Sequence, residues 1–197
     1  MKNLTEDVSH LANQLLIAMP GMVDDRFSGT VVYLLEHNQQ GAMGLVVNRP
    51  TDLDLHGLFD KINLKLEIDP LIKQSVYLGG PVQTERGFVL HSQEEDVQYS
   101  STLVVPGGLA MTTSKDVLEA VSEGGGPNKF LMSLGYAGWS AGQLEDEIAR
   151  NGWLNVSTSL EKISEIVFDT PCAQRYQKVM YIIGIDPSHL SGEVGHA

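Results

Sequence analysis

Residues 130–143 read FLMSLGYAGWSAGQ, and their glycines, aromatics and closing hydroxyl and amide are the residues best placed to bind an anion. A strand, a glycine turn and a helix start leave backbone N–H groups unpaired, and these attract either a phosphate or a capping side chain. Ser140 and Gln143 stand at the spacing of a capping box, in which each side chain satisfies the other residue's backbone N–H. Glu145, Asp146 and Glu147 follow, so the positive end of the helix already has negative neighbours and would oppose a phosphate. The glycine spacing matches neither nucleotide-binding fingerprint. These residues therefore read as a self-capped helix start. Tyr136 and Trp139 bracket the turn, and their rings are expected on the core, with a partner-facing position as the alternative.

Gly79-Gly80-Pro81 brings backbone close to something, and a tight turn is a sufficient explanation. Arg49, beside Pro50, and Arg86 are the cations an anionic ligand would call on. The candidate binding surface is thus Gly79, Gly80, Pro81, Arg49, Arg86, Tyr136, Trp139, Ser140 and Gln143.

Other chemistry finds less support. Cys172 follows Thr170-Pro171 and is expected at the second position of a helix, where the dipole lowers a thiol pKa. It has no base beside it in sequence, only His37 or His91 as spatial candidates, so no catalytic residue is assigned. The histidines at 10, 37, 56, 91, 189 and 196 show no H-x-x-x-H or H-E-x-x-H spacing, and no metal site is expected. Glu94-Glu95-Asp96 reads as a solvated loop. Nucleophile-elbow, Walker, Rossmann and kinase signatures are absent from the sequence, and no cofactor is assigned.

The elements that must position these residues begin with QLLIAMPGM as a buried strand ended by Pro20-Gly21. FSGTVVYLLEH and AMGLVVN, around NQQG, read as a hairpin closing at Arg49-Pro50. Thr51 is expected to cap a short helix through Ile62. SVYLGGPV and GFVLHS are expected to form a second hairpin around Gly-Gly-Pro. A loop, short strand and turn follow over 94–108, then a helix from Thr113 or Ser114 to the glycines at 124–126. KFLMSLGYAG supplies a strand, SAGQLEDEIARNGW a helix, and Thr170-Pro171 the start of a last helix. The closing SGEVGHA reads as loose. Strands cluster early and helices late, which favours a single α+β domain with a mixed sheet over a doubly wound fold.

The composition bounds the function classes. With 13 Lys and Arg against 25 Asp and Glu, the net charge of −12 repels polyanions, and the basic residues are spread singly, so direct nucleic-acid binding is disfavoured. A single cysteine excludes an internal disulfide and fits a reducing compartment. The apolar stretch at 15–22 is broken by Pro20 and flanked by acid, the wrong pattern for a signal peptide or a membrane span. A cytoplasmic location is expected.

QLLIAMPGM, TVVYLLEHNQQGAMGLVVNRP, YLGGPV followed by GFVLH, GYAGWSAGQLEDEI and SGEVGHA together resemble the AlgH/YqgE family of bacterial proteins. The resemblance spans nearly the whole chain in one order. It implies a compact single-domain α+β fold with a bifurcated sheet, part of it curled into a small barrel, surrounded by helices. It implies no catalytic residues. One branch of the family carries the label of a transcriptional regulator of alginate synthesis, yet this chain lacks a helix-turn-helix pattern and bears the wrong charge for reading DNA. The expectation is a cytoplasmic, non-enzymatic binding or regulatory module acting through a protein or a ligand. The alternative is a small-anion binder or enzyme using the Ser140 helix start with Arg49 or Arg86.

Overall fold

The computed structural model describes residues 10–95 and 97–186; the closing SGEVGHA, His189, His196 and Asp96 of the acidic run lie outside the described residues. In chain order the elements are β1 (Leu15–Ala18), β2 (Val31–Asn38), β3 (Gly41–Val46), β4 (Pro50–Asp54), α1 (Leu55–Lys61), α2 (Asp69–Ile72), β5 (Ser75–Leu78) and β6 (Val82–His91). They continue with β7 (Thr102–Val104), β8 (Ala110–Thr112), α3 (Asp116–Ser122), β9 (Phe130–Ser140), α4 (Gln143–Ala149), β10 (Trp153–Val156), α5 (Leu160–Ser164) with a π-helical extension over Glu165–Asp169, and α6 (Cys172–Ile182).

The strands run β10-β1-β2-β3-β9-β6-β8-β7, and β4 joins through β5, which pairs parallel to β9 while the other ladders are antiparallel. The sheet is therefore mixed and forked, and it is curled into a half-barrel with helices against it, as an α+β fold. The fork sits on β9. Along one edge its residues Ser133 and Leu134 meet β5 and Ala137–Ser140 meet β3; along the other edge Phe130–Tyr136 meet β6.

The run Val31–Leu35 is apolar at every position because β2 is covered on both faces. Val31, Tyr33 and Leu35 join one core with Ile163, Ile166, Val167, Val179 and Met180 of the C-terminal helices. Val32 and Leu34 join a second core with Trp139, Leu144 and Trp153. A third core seats α1 and α3 on β5 and β6 through Leu55, Phe59, Val117, Val76 and Val89. The hairpin read from NQQG is the β2–β3 pair, closed at Asn38↔Gly41.

The second expected hairpin is corrected: β5 and β6 lie on opposite edges of β9, and Gly79-Gly80-Pro81 carries the chain across β9 between them. The close approach inferred there is this crossing. A Cβ on Gly80 (φ 155°) would lie 2.1 Å from Tyr136 C, and one on Gly135 (φ 72°) would lie 2.5 Å from Gly80 O, so backbone rests on backbone with no room between. Three caps are also corrected. Thr51 lies in β4, and Asp54 caps α1 by accepting from Gly57 N–H at 2.8 Å. The residue before α3 is Lys115, neither Thr113 nor Ser114. Pro171 takes the cap position of α6, which puts Cys172 at the first helical residue, and the Thr170 hydroxyl turns back to Glu165 O at 2.9 Å.

Candidate functional site

The segment Gly135–Trp139 is strand, not turn, because β3 and β6 hydrogen-bond to it from both sides. Ser140 ends that strand and does not cap the helix. Gly142, in the left-handed region at φ 75°, is the N-cap of α4, which has no side-chain cap bond. Half of the expected capping box is present: Gln143 Oε1 accepts the Ser140 N–H at 2.9 Å. Its own Nε2 donates to Glu147 Oε1 at 2.9 Å.

Glu147 is the polar centre of this corner. One oxygen, Oε2, accepts the indole N–H of Trp139 at 3.0 Å and of Trp153 at 2.8 Å. The two rings meet edge to face at 5.7 Å, and Phe27 packs edge-on against Trp153 at 5.3 Å. Trp139 is only 6% exposed and belongs to the core; Tyr136 is half-buried against Phe88 at 5.5 Å. The aromatic rings thus serve as walls, fixed by packing and by a shared carboxylate.

Two cavities open beside these walls. One, of about 530 Å³, is bounded by Met22, Val23, Phe27, Pro81, Gln143, Glu147 and Arg150. The other, of about 390 Å³, is bounded by Glu36, Asn38, Met43, Tyr136 and Ser140. Both are lined by Val82, Gly138 and Trp139, so they meet along β9. The structure brings Pro81, Tyr136, Trp139, Ser140 and Gln143 to this cleft, while Gly79 and Gly80, which form the crossing, are buried against β9. The two cations line neither cavity. Arg49 donates to the carbonyls of Arg26 and Ser28, the second at 3.1 Å, and Arg86 lies over the Phe88 ring at 5.7 Å beside Gln83 and Thr113. Sequence reasoning missed Met22, Val23, Phe27, Val82, Glu147 and Arg150 as parts of this surface. Only the exposed apolar side chain of Val23, 95% exposed, would have been a signal, and exposure is not written in sequence.

His37 and His91 take structural roles. His37 Nδ1 accepts the Leu11 N–H at 3.1 Å, so its Nε2 carries the proton and donates to Glu145 Oε1 at 2.9 Å, tying β2 to α4. His91 donates from Nδ1 to Ser92 O and meets the Thr112 hydroxyl through Nε2, each within 2.9 Å, and burial lowers its pKa. Cys172 has Tyr77 and Arg175 for neighbours instead of a histidine base. Burial pushes its thiol up, against the pull of Arg175 and of a hydrogen bond from Tyr77, so the expected dipole activation is overridden. Among the described residues, no group of three or more acidic, histidine or cysteine side chains is arranged to hold a metal, and no helix is long and apolar enough to cross a membrane.

The AlgH-like family model matches residues 15–188. A UPF0301 protein of Ralstonia pickettii is 65% identical over 188 residues, covering 95% of this chain and 96% of that protein. One from Burkholderia multivorans is 60% identical over 191 residues, 97% of each chain. The solution structure of the AlgH protein from Pseudomonas aeruginosa superposes with a TM-score of 0.75 at 46% identity, covering 100% of both chains. Protein DIP2367 of Corynebacterium diphtheriae, at 20% identity, shares the fold with a TM-score of 0.63 over 86% of this chain and 85% of its own.

Proposed function

For this chain, which belongs to the AlgH-like family, we propose a cytoplasmic, non-enzymatic binding module whose recognition surface is the cleft over Val82, Gly138 and Trp139. The observation that carries the reading is the meeting of two cavities at residues held rigid by Glu147 and the paired tryptophans. Rigid concave walls with an aromatic floor favour recognition, because little entropy is lost when a partner docks. Among the described residues, no nucleophile with a positioned base lies in the cleft, and Arg49 and Arg86 line neither cavity, which favours this reading over an anion site built on Ser140 with them. The cytoplasmic assignment rests on the single cysteine and the acidic flank of the first strand. A regulatory role would follow from what the cleft holds.

The test is photocrosslinking in living cells with benzoylphenylalanine at position 23, on the rim of the larger cavity, and at position 181, which lines neither cavity and is 55% exposed. Discrete adducts from position 23 alone are expected. Adducts from neither position, or equally from both, would remove this surface from consideration.

A further inference from the structure

β9 has a bare edge. Its ladder with β6 ends at Val82↔Tyr136, where the crossing at Gly79–Pro81 leads the chain away, while its ladder with β3 runs on to Gly41↔Ser140. Ser140 N–H is taken by the Gln143 side chain and not by β3, so it points to the edge away from β3. Strand geometry repeats every two residues, so the N–H and C=O of Gly138 point to that same edge. A Cβ on Gly41 would fall 2.1 Å from Trp139 O, which places the intervening Trp139 carbonyl on the β3 side, as this alternation requires. Among the described residues, the stretch Gly138–Ser140 is therefore a sheet edge closed by one exposed glutamine side chain. Natural sheets guard such edges against adventitious pairing, and those that stay open serve strand addition.

The two cavities lie on the two faces of this edge: Tyr136 and Met43, which line the smaller, pack with the first core, and Trp139, Met22 and Phe27, which line the larger, pack with the second. An added strand would send alternate side chains into each. The larger cavity offers Met22, Phe27 and Trp139; Asp24 there is paired with Arg26, and Glu147 and Arg150 add one charge of each sign, so it suits an apolar side chain. The smaller holds the exposed carboxylate of Glu36 and the ring of Tyr136, with no cation among its lining residues, so it suits Lys or Arg. The net charge of −12 draws a basic segment and repels an acidic one.

We infer that the cleft binds an extended, positively charged segment of a protein partner by adding it as a strand to the Gly138–Ser140 edge of β9, with basic and apolar residues alternating. The inference rests on the cleft reading above and gives it a mode and a partner class. Gln143 holds the place of the incoming strand's carbonyl until that strand displaces it.

Random dodecapeptides displayed on phage, panned against the intact protein, test it. Enriched sequences alternate Lys or Arg with apolar residues, and a synthetic peptide of that sequence slows hydrogen exchange at the Gly138 amide. Glu36→Lys weakens it about three- to fivefold, the scale of one exposed charge pair. Gly138→Pro, which removes the edge donor, abolishes binding; if that variant fails to fold, the exchange readout and Glu36→Lys decide. Acidic or unpatterned sequences, exchange at Gly138 unchanged by bound peptide, or no enrichment at all would overturn strand addition. The cleft reading stands or falls separately, on the crosslinks from position 23.

Discussion

Gly80→Ala tests the crossing on which the fork depends. The added methyl would lie 2.1 Å from Tyr136 C, 2.2 Å from Tyr136 O and 2.3 Å from Ala137 N, all backbone atoms that cannot rotate away. Forced overpacking of this kind costs about 1–3 kcal/mol. The residue also holds φ at 155°, which an L side chain rarely adopts, adding about 1–3 kcal/mol of strain. The two together give about 2–6 kcal/mol. For a chain of this size that lowers Tm by roughly 4 to 24 °C, taking 2–4 °C per kcal/mol. Urea unfolding followed by the fluorescence of Trp139 and Trp153, both buried, reads the loss directly. Gly21→Ala is the control: nothing lies within 4 Å of its added methyl, so its effect stays within about 0.5 kcal/mol. A Gly80→Ala variant less than about 1 kcal/mol below wild type would refute the crossing as drawn.

Glu147→Ala leaves two indole N–H groups without their acceptor and is expected to cost about 2–4 kcal/mol in urea unfolding, with a shifted tryptophan emission; an unchanged midpoint would show the carboxylate to be dispensable. Burial works against ionisation of Asp116, but hydrogen bonds from Ser114, Ser100 and Val117 outweigh it and hold the carboxyl at about 2, below its usual 3.8. Because the folded pKa is depressed, the stabilisation is complete above the unfolded value and is lost as pH falls through the folded one. The stability gap between wild type and Asp116→Asn should therefore be constant above about pH 5 and close between about pH 4 and 2; a gap independent of pH would contradict it. Iodoacetamide should alkylate Cys172 at about pH 7.5 more slowly than it does a cysteine in an unstructured peptide, and faster reaction would mean that the helix dipole prevails over burial.

Local signals in the sequence reached the local structure. The β-branched run Val31–Leu35, the NQQG turn and the return strand are neighbours in the chain, and their pairing needs nothing from elsewhere. Gln143 reached back to Ser140 as its spacing required. The Gly79–Pro81 segment was legible as a close approach but not as a crossing, because the surface it crosses, Gly135–Tyr136, is supplied by residues more than fifty positions later. The same non-locality carries the strand read as KFLMSLGYAG on through Trp139 and Ser140: glycine and serine favour turns, and pairing with β3 overrides them. Four-residue β10 was hidden for the same reason, since Trp153–Val156 is a strand through its pairing with β1. Of the cleft, the β9 side and Pro81 could be named from sequence; the wall from Met22 to Phe27 could not, because it is brought there by the turn after β1.

The fork at β9 also sets an order of assembly. Without Phe130–Ser140 the strands fall into three unconnected ladders, β10-β1-β2-β3, β4-β5 and β6-β8-β7. During synthesis the residues before Phe130, which carry all of these strands except β10, emerge before the strand that joins them, so the growing chain carries open edges of all three ladders at once. Such nonlocal closure is slow and exposes unpaired strands to other chains. Folding of this protein should therefore be decided late, at the moment eleven residues slide beneath the Gly79–Pro81 bridge and convert three fragments into one sheet.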